Sequence, residues 1–218
     1  MAKYETNMYV FMGGTFDPVH QGHLQGALDV SEQLASCVVH LLPTKAPVHK
    51  QRPQTLLEQR IAMIEMAIKD YPKLQLDRRE ADAQEASFTI NTLLRLRAEL
   101  GEKEPIVMII GMDSFITLPT WHRASEFLSL CHIVVLQRPS YQYVETADLQ
   151  PYLAARNQHT EDLLSKNAGQ VFFLEQPLVD ISATQIRQSE GVAIASSLLP
   201  DIVNNYIEKH KLYNKPHK

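Results

Sequence analysis

The chain has 218 residues, 44% of them hydrophobic and 21% charged, and a net charge of −4. That balance excludes a disordered chain and a membrane-embedded one. It also speaks against a protein whose main task is gripping a nucleic-acid backbone, which needs a basic face. No stretch approaches the roughly 20 apolar residues of a membrane span. Residues Met1 to Asn7 carry no apolar core of a secretory signal, so the expectation is a soluble cytoplasmic protein. Cys37 and Cys131 both stand in apolar runs, where a thiol serves as a small buried hydrophobe rather than as part of a disulfide framework or metal cluster.

Met8–Met12 is a short apolar run ending in Gly13-Gly14, the pattern of a buried strand feeding a turn. Leu24, Ala27, Leu28, Ser31, Leu34 and Ala35 then recur at helical spacing, which predicts a helix from about Gly22. Cys37–Leu42 is a second strand, stopped by Pro43, and completes a βαβ unit. Residues 43–54, with three prolines, form a loop. Thr55-Leu56-Leu57-Glu58 has the capping-box pattern, and Leu57, Ile61, Ile64 and Ile68 continue a helix toward Pro72.

Leu74–Asp77 reads as a short strand, and Ile90, Leu93, Leu94 and Arg97 as a helix ended by Gly101. Pro105–Ile110 and His132–Gln137 are strongly apolar strands, the first running into Gly111 and the second stopped by Arg138-Pro139. Residues 140–168 are polar and weakly periodic, and read as a helical excursion. Val171–Leu174 is a last strand, followed by closing helices over Ser182–Ser189 and Leu199–His210, with Pro200 in a first turn. Strands alternating with helices predict a single α/β domain over 1–218. Its form is a Rossmann-like, doubly wound parallel sheet with helices on both faces, closed by residues 182–218. Ligands of such sheets bind beyond the carboxyl ends of the strands, where the strand order reverses.

The turn after the first strand concentrates the chemistry. Gly13 and Gly14 let backbone N–H groups approach a ligand, Thr15 adds a hydroxyl, and His20 and His23 fall on one side of a helix start that itself favours anions. Read alone, His20 could simply cap the helix and His23 fill a gap. The glycines before them and the helix behind favour an anionic ligand. A zinc site would need further ligands that no nearby cysteine or carboxylate pattern supplies. The run is neither a Gly-x-x-x-x-Gly-Lys-Ser/Thr loop nor a three-glycine dinucleotide fingerprint.

Gly13 to His23, with its His-x-Gly-His core, resembles the signature of the cytidylyltransferase-like superfamily. Ile181-Ser182-Ala183-Thr184-Gln185-Ile186-Arg187 is similar to that superfamily's Ile-Ser-Ser-Thr-x-Ile-Arg. Between them stand Pro43 to Lys50, Ser87-Phe88-Thr89, Ile110 to Ser114, Pro119-Thr120-Trp121 and Arg138-Pro139, and after them Leu198-Leu199-Pro200. In that order they resemble the bacterial nicotinate-nucleotide adenylyltransferases over nearly the whole length.

That resemblance implies adenylyl transfer from ATP to nicotinate mononucleotide, giving deamido-NAD and pyrophosphate, with Mg2+ bridging the phosphates. It implies that Gly13, Gly14, Thr15 and Phe16 line the nucleotide cleft. His20, His23 and Arg187 would act on the phosphates, with Lys50, Ser182 and Thr184 closing on them. Gly111 would line the ATP site, Asp113 would meet a ribose hydroxyl, and Thr89 and Trp121 would hold the nicotinate ring. His122 and Phe88 stand where tyrosines are expected, and Ala183 replaces a serine. Other acceptors, a non-catalytic nucleotide sensor and a fragment of a class I aminoacyl-tRNA synthetase are the alternatives. The last would need a basic surface and a Lys-Met-Ser-Lys-Ser loop.

Overall fold

The computed structural model describes residues 8–35, 37–45, 53–85, 87–137, 143–160, 165–174, 182–188 and 198–213. The first strand, β1 (Tyr9–Gly14), leads to α1 (Gln21–Gln33), β2 (Val39–Pro43), α2 (Leu57–Ile68) and β3 (Leu74–Leu76). Next come α3 (Thr89–Leu100), β4 (Ile106–Gly111), α4 (Met112–Thr117), α5 (Phe127–Leu130) and β5 (His132–Leu136). The remainder is α6 (Gln150–Ala154), β6 (Arg156–Asn157), β7 (Val171–Leu174), α7 (Ala183–Gln188) and α8 (Asp201–Lys209).

The strands form one sheet in the order β3-β2-β1-β4-β5-β7-β6, and every ladder in it is parallel. From β1 the chain first builds outward through β2 and β3, then returns by α3 to lay β4 on the other side of β1. The order therefore reverses between β1 and β4, and a crevice opens above their carboxyl ends.

Alternation along the strands sends side chains to two cores, as a sheet covered on both faces requires. Val10, Met12, Val39, Leu41, Val107 and Ile109 meet Leu24 and Val30 of α1 and Met63 and Ile64 of α2. Ile186 of α7 and Val203 of α8 join this side. Phe11, Leu42, Met108 and Ile110 face the other way, onto Ile90, Leu93 and Leu96 of α3 and Phe115 of α4. The apolar runs of β4 and β5 are buried along almost their full length, so they read as continuous hydrophobic strands.

Four expectations need correcting. β1 runs through both glycines, so the sharp turn falls later, at Phe16, whose φ is 49°. Leu56, not Thr55, precedes α2, because the Thr55 hydroxyl is spent on Asp17; Gln59 Oε1 accepts the Leu56 N–H at 3.0 Å instead. Pro200 sits just before α8 rather than within its first turn, and Ser182 likewise precedes α7. The 140–168 region is not purely helical: after α6 the chain adds the edge strand β6, parallel to β7. Tyr152 of α6 is buried and donates its hydroxyl to the Ala124 carbonyl at 2.8 Å, which ties this excursion to the core.

Candidate active site

The crevice is a cleft of about 890 Å³. Gly13 and Gly14 end β1 at its edge. Gly13 faces open space, whereas a Cβ on Gly14 would come 3.1 Å from the Phe16 ring. Gly14 is thus required by packing rather than by a left-handed backbone, and its lack of a side chain lets Phe16 fold back beneath it. Phe16 is 2% exposed.

His20 is the residue immediately before α1 and is 1% exposed. Its ring lies on that of His23, with centroids 3.7 Å apart and planes 25° from parallel. The His23 ring meets Phe16 edge-on at 4.9 Å. The backbone N–H of His20 donates to Nδ1 of His23 at 3.3 Å, so a neutral His23 carries its proton on Nε2. The local sequence explains this. Three residues apart at a helix start, the imidazoles share a side, and the buried Phe16 ring walls off the far edge of His23.

The second motif arrives at the same turn. Ser182 and Gln185 form a reciprocal cap on α7: the Gln185 N–H donates to Ser182 Oγ at 3.2 Å, and the Ser182 N–H donates to Gln185 Oε1 at 2.7 Å. This orients Arg187, which donates from Nη1 to the Asp17 carbonyl at 2.6 Å and from Nη2 to Thr184 Oγ1 at 3.2 Å. Its Nε is buried and has no hydrogen-bond partner among the described residues.

Of the expected residues, Gly13, Gly14, Thr15, Phe16, His20, His23, Thr89, Gly111, Asp113, Trp121, Ser182, Thr184 and Arg187 all line this one cleft. Lys50 lies outside the described residues. Gly111 precedes α4 and Asp113 is in its first turn, directly above the end of β4. Thr89 opens α3. Phe88, just before it, touches the His122 ring at 4.7 Å, and Trp121 rests edge-on against Phe127 at 6.3 Å. Lys45 turns its ammonium to the Ala83 carbonyl at 3.0 Å.

Sequence reasoning missed four residues that build this site. Arg60 is 1% exposed and donates from Nη1 to the carbonyls of Thr15 (2.6 Å) and Thr44 (2.9 Å), pinning the ends of β1 and β2 together. Burial pulls its ionisation down from the usual arginine value, and the nearby Asp17 charge opposes that. Its signal was present: it lies three residues after Leu57 and four before Ile64, on the buried stripe of α2. Asp17 is 3% exposed, and its carboxylate accepts from Gln54 N–H (2.7 Å), Thr55 Oγ1 (2.6 Å) and the Tyr213 hydroxyl (2.8 Å). Glu80 also lines the cleft. Burial raises its carboxyl above the ordinary range, while Thr92, donating at 2.7 Å, acts in the other direction. Tyr213 carried no local signal at all.

A parallel sheet with a glycine-edged strand end at its switch point, an imidazole pair at the following helix and an arginine brought in from the far end of the chain defines a nucleotidyltransferase. The comparisons agree. Residues 11–189 match the cytidylyltransferase-like family. The chain is 44% identical over 206 residues to a probable nicotinate-nucleotide adenylyltransferase of Pseudomonas aeruginosa, covering 94% of this chain and 96% of the relative. It is 42% identical over 207 residues to one of Pseudomonas putida, covering 94% of each. The fold is shared, at a TM-score of 0.70 and 15% identity, with Plasmodium falciparum nicotinic acid mononucleotide adenylyltransferase, solved with NaAD; the match covers 94% of this chain and 96% of that one. The chain belongs to the cytidylyltransferase-like family, among its nicotinate-nucleotide adenylyltransferases.

Proposed function

We propose that the cleft transfers the adenylyl group of ATP to nicotinate mononucleotide, giving deamido-NAD and pyrophosphate. The observation that carries this reading is the convergence of two motifs some 160 residues apart, with the Arg187 guanidinium 2.6 Å from the Asp17 carbonyl inside the histidine turn. A phosphate oxygen of the acceptor attacks the α-phosphorus in line. One P–O bond forms, the bond to the bridging oxygen breaks, and pyrophosphate leaves with that electron pair. The nucleophile is already anionic, so no general base is needed, and positioning and charge neutralisation supply the acceleration.

In this reading His20, His23 and Arg187 meet the charge that builds on the phosphates, each such donor contributing roughly 3–4 kcal/mol to the transition state. Lys50, Ser182 and Thr184 add to the same end. Gly13, Gly14, Thr15 and Phe16 shape the nucleotide wall, with Gly111 and Asp113 at the ribose. Thr89 and Trp121 hold the nicotinate ring, the indole by its face. Among the described residues no three His, Cys, Asp or Glu side chains converge on a point. Mg2+ would enter with the substrate phosphates and would neutralise part of their charge. No helix among the described residues is long and apolar enough to cross a membrane. Two unpaired cysteines support a cytoplasmic site of action.

The test measures pyrophosphate release with ATP or CTP against nicotinate mononucleotide, nicotinamide mononucleotide, phosphopantetheine and a flavin phosphate. Activity confined to an acceptor other than nicotinate mononucleotide overturns the substrate. In the same assay His20→Ala should lose at least a hundredfold in turnover with an unchanged fold, and near-normal turnover refutes its role.

A further inference from the structure

The structure assigns to Tyr213, close to the C-terminus, the role of a positioning residue: its hydroxyl clamps Asp17 and thereby holds the turn that carries His20. The inference rests on the adenylyl-transfer reading of that turn.

Asp17 lies between Phe16 and His20, and three separate parts of the chain grip it. The segment entering α2 supplies Gln54 N–H and Thr55 Oγ1, α7 supplies Arg187 to the main-chain carbonyl, and the stretch beyond α8 supplies Tyr213, 196 residues away in sequence. Oδ1 accepts from Thr55 and Tyr213, and Oδ2 from Gln54, so the rotation of the carboxylate is fixed from more than one direction. Thr55 and Gln54 alone would keep the buried charge satisfied. The phenol adds orientation rather than burial of an otherwise orphaned group.

The chain bends sharply to bring the phenol there. After α8, the Leu212 N–H donates to the Ile207 carbonyl at 3.0 Å and the Lys211 N–H to the Glu208 carbonyl at 3.1 Å, the pattern of a Schellman closure. Its left-handed position is occupied by Lys211, with φ 51°, where glycine is usual, and Tyr213 itself has φ 61°. Two L-residues held in left-handed backbone within three positions mark a conformation imposed by the surroundings. What they aim at is Asp17. Burial, reinforced by the Asp17 charge, raises the phenol above the ordinary tyrosine range, so it remains a donor at every working pH.

Tyr213→Phe keeps the ring and removes the donor. Displacements of about 1 Å at reacting groups cost up to a hundredfold. The variant should therefore lose about tenfold in kcat, with KM for both substrates within about twofold and, as the loss of one hydrogen bond to a carboxylate allows, the thermal midpoint no more than about 10 °C below wild type. Tyr206→Phe, whose ring packs on His210 of α8, is the control and should leave all three unchanged. Unchanged kcat in Tyr213→Phe, beside an active wild type, overturns the clamp and leaves the adenylyl-transfer reading standing. A kcat loss matched by a fall of more than about 10 °C in the midpoint overturns it too, in favour of a purely structural bond. The failure of the broader reading has its own signature, a wild type with no transfer to nicotinate mononucleotide.

Discussion

Replacing Arg60 by methionine tests whether a buried guanidinium, rather than the glycines, holds the phosphate-side wall in place. Methionine fills most of the volume and removes the donors. The carbonyls of Thr15 and Thr44 then lose bonds of 2.6 and 2.9 Å, and that of Lys45 a weaker one at 3.3 Å. Hydrogen bonds to a charged group are worth about 1.5–3 kcal/mol each. Both threonines are only half-buried, so water recovers part of this, and the expected net loss is about 2–4 kcal/mol. In a chain of this size each kcal/mol shifts the midpoint by about 2–4 °C, giving a fall of roughly 5–15 °C. Urea and thermal unfolding read the stability, and pyrophosphate release reads the site, where a loosened Thr15 should cost about tenfold or more in turnover. Arg60→Lys should fall between, since an ammonium keeps the charge but not the planar fork that spans two carbonyls. A methionine variant melting within 2 °C of wild type with intact kcat would refute the reasoning.

Glu80 sets a pH dependence. Its carboxyl is raised in the folded state, so its contribution is fully present below the unfolded value of about 4.3 and is lost as pH climbs through the folded one. Glu80→Gln should therefore gain on wild type in thermal midpoint between pH 4 and pH 8, and a gap constant over that range contradicts the assignment. The two glycines should separate cleanly. Gly14→Ala drives a methyl against Phe16 and destabilises by about 1–3 kcal/mol, whereas Gly13→Ala meets nothing within 4 Å and should melt normally while raising KM for ATP. Cys131 is fully buried and its thiol is pushed up to about 12, and burial also raises Cys37, to about 11. Thiol reagents at neutral pH should leave both unmodified until denaturant is added, and fast labelling of the native protein would argue against this packing.

The frame was legible because β4, and β5 after His132, are continuously apolar and α1 to α3 carry helical stripes, so period and length decided each of these elements. Short pieces escaped: α5 spans four residues and β6 two, too few to show any period. The Thr55 error is instructive. A capping-box pattern describes a local competition, and here a partner 38 residues away, Asp17, outbid the helix for the hydroxyl. At α7 a Ser182-x-x-Gln185 box that sequence reasoning did not single out does form, since there the hydroxyl stays with its own helix. Most cleft-lining residues inside the two motifs could be named from sequence, whereas Asp17, Arg60, Glu80 and Tyr213 act through contacts that only the fold creates.

The charge distribution then explains how a chain of net charge −4 can accommodate a polyphosphate. Among the described residues neither Arg60 nor Arg187 takes part in an ion pair; the bonds each makes at the turn are to neutral oxygens. The charge of Arg187, which lines the cleft, is therefore retained there while its geometry is fixed, and Arg60 stands buried behind the wall. Of the two buried carboxylates there, Asp17 has its three donors on the α2 and C-terminal sides, so its charge is bound into the scaffold, while burial pushes Glu80 toward its neutral form. Had either arginine been paired directly with Asp17, the local field would largely cancel, and the approach of a triphosphate would depend on the imidazoles alone. Using arginine to hold carbonyls lets both side chains shape the wall while Arg187 keeps a positive charge at the cleft itself.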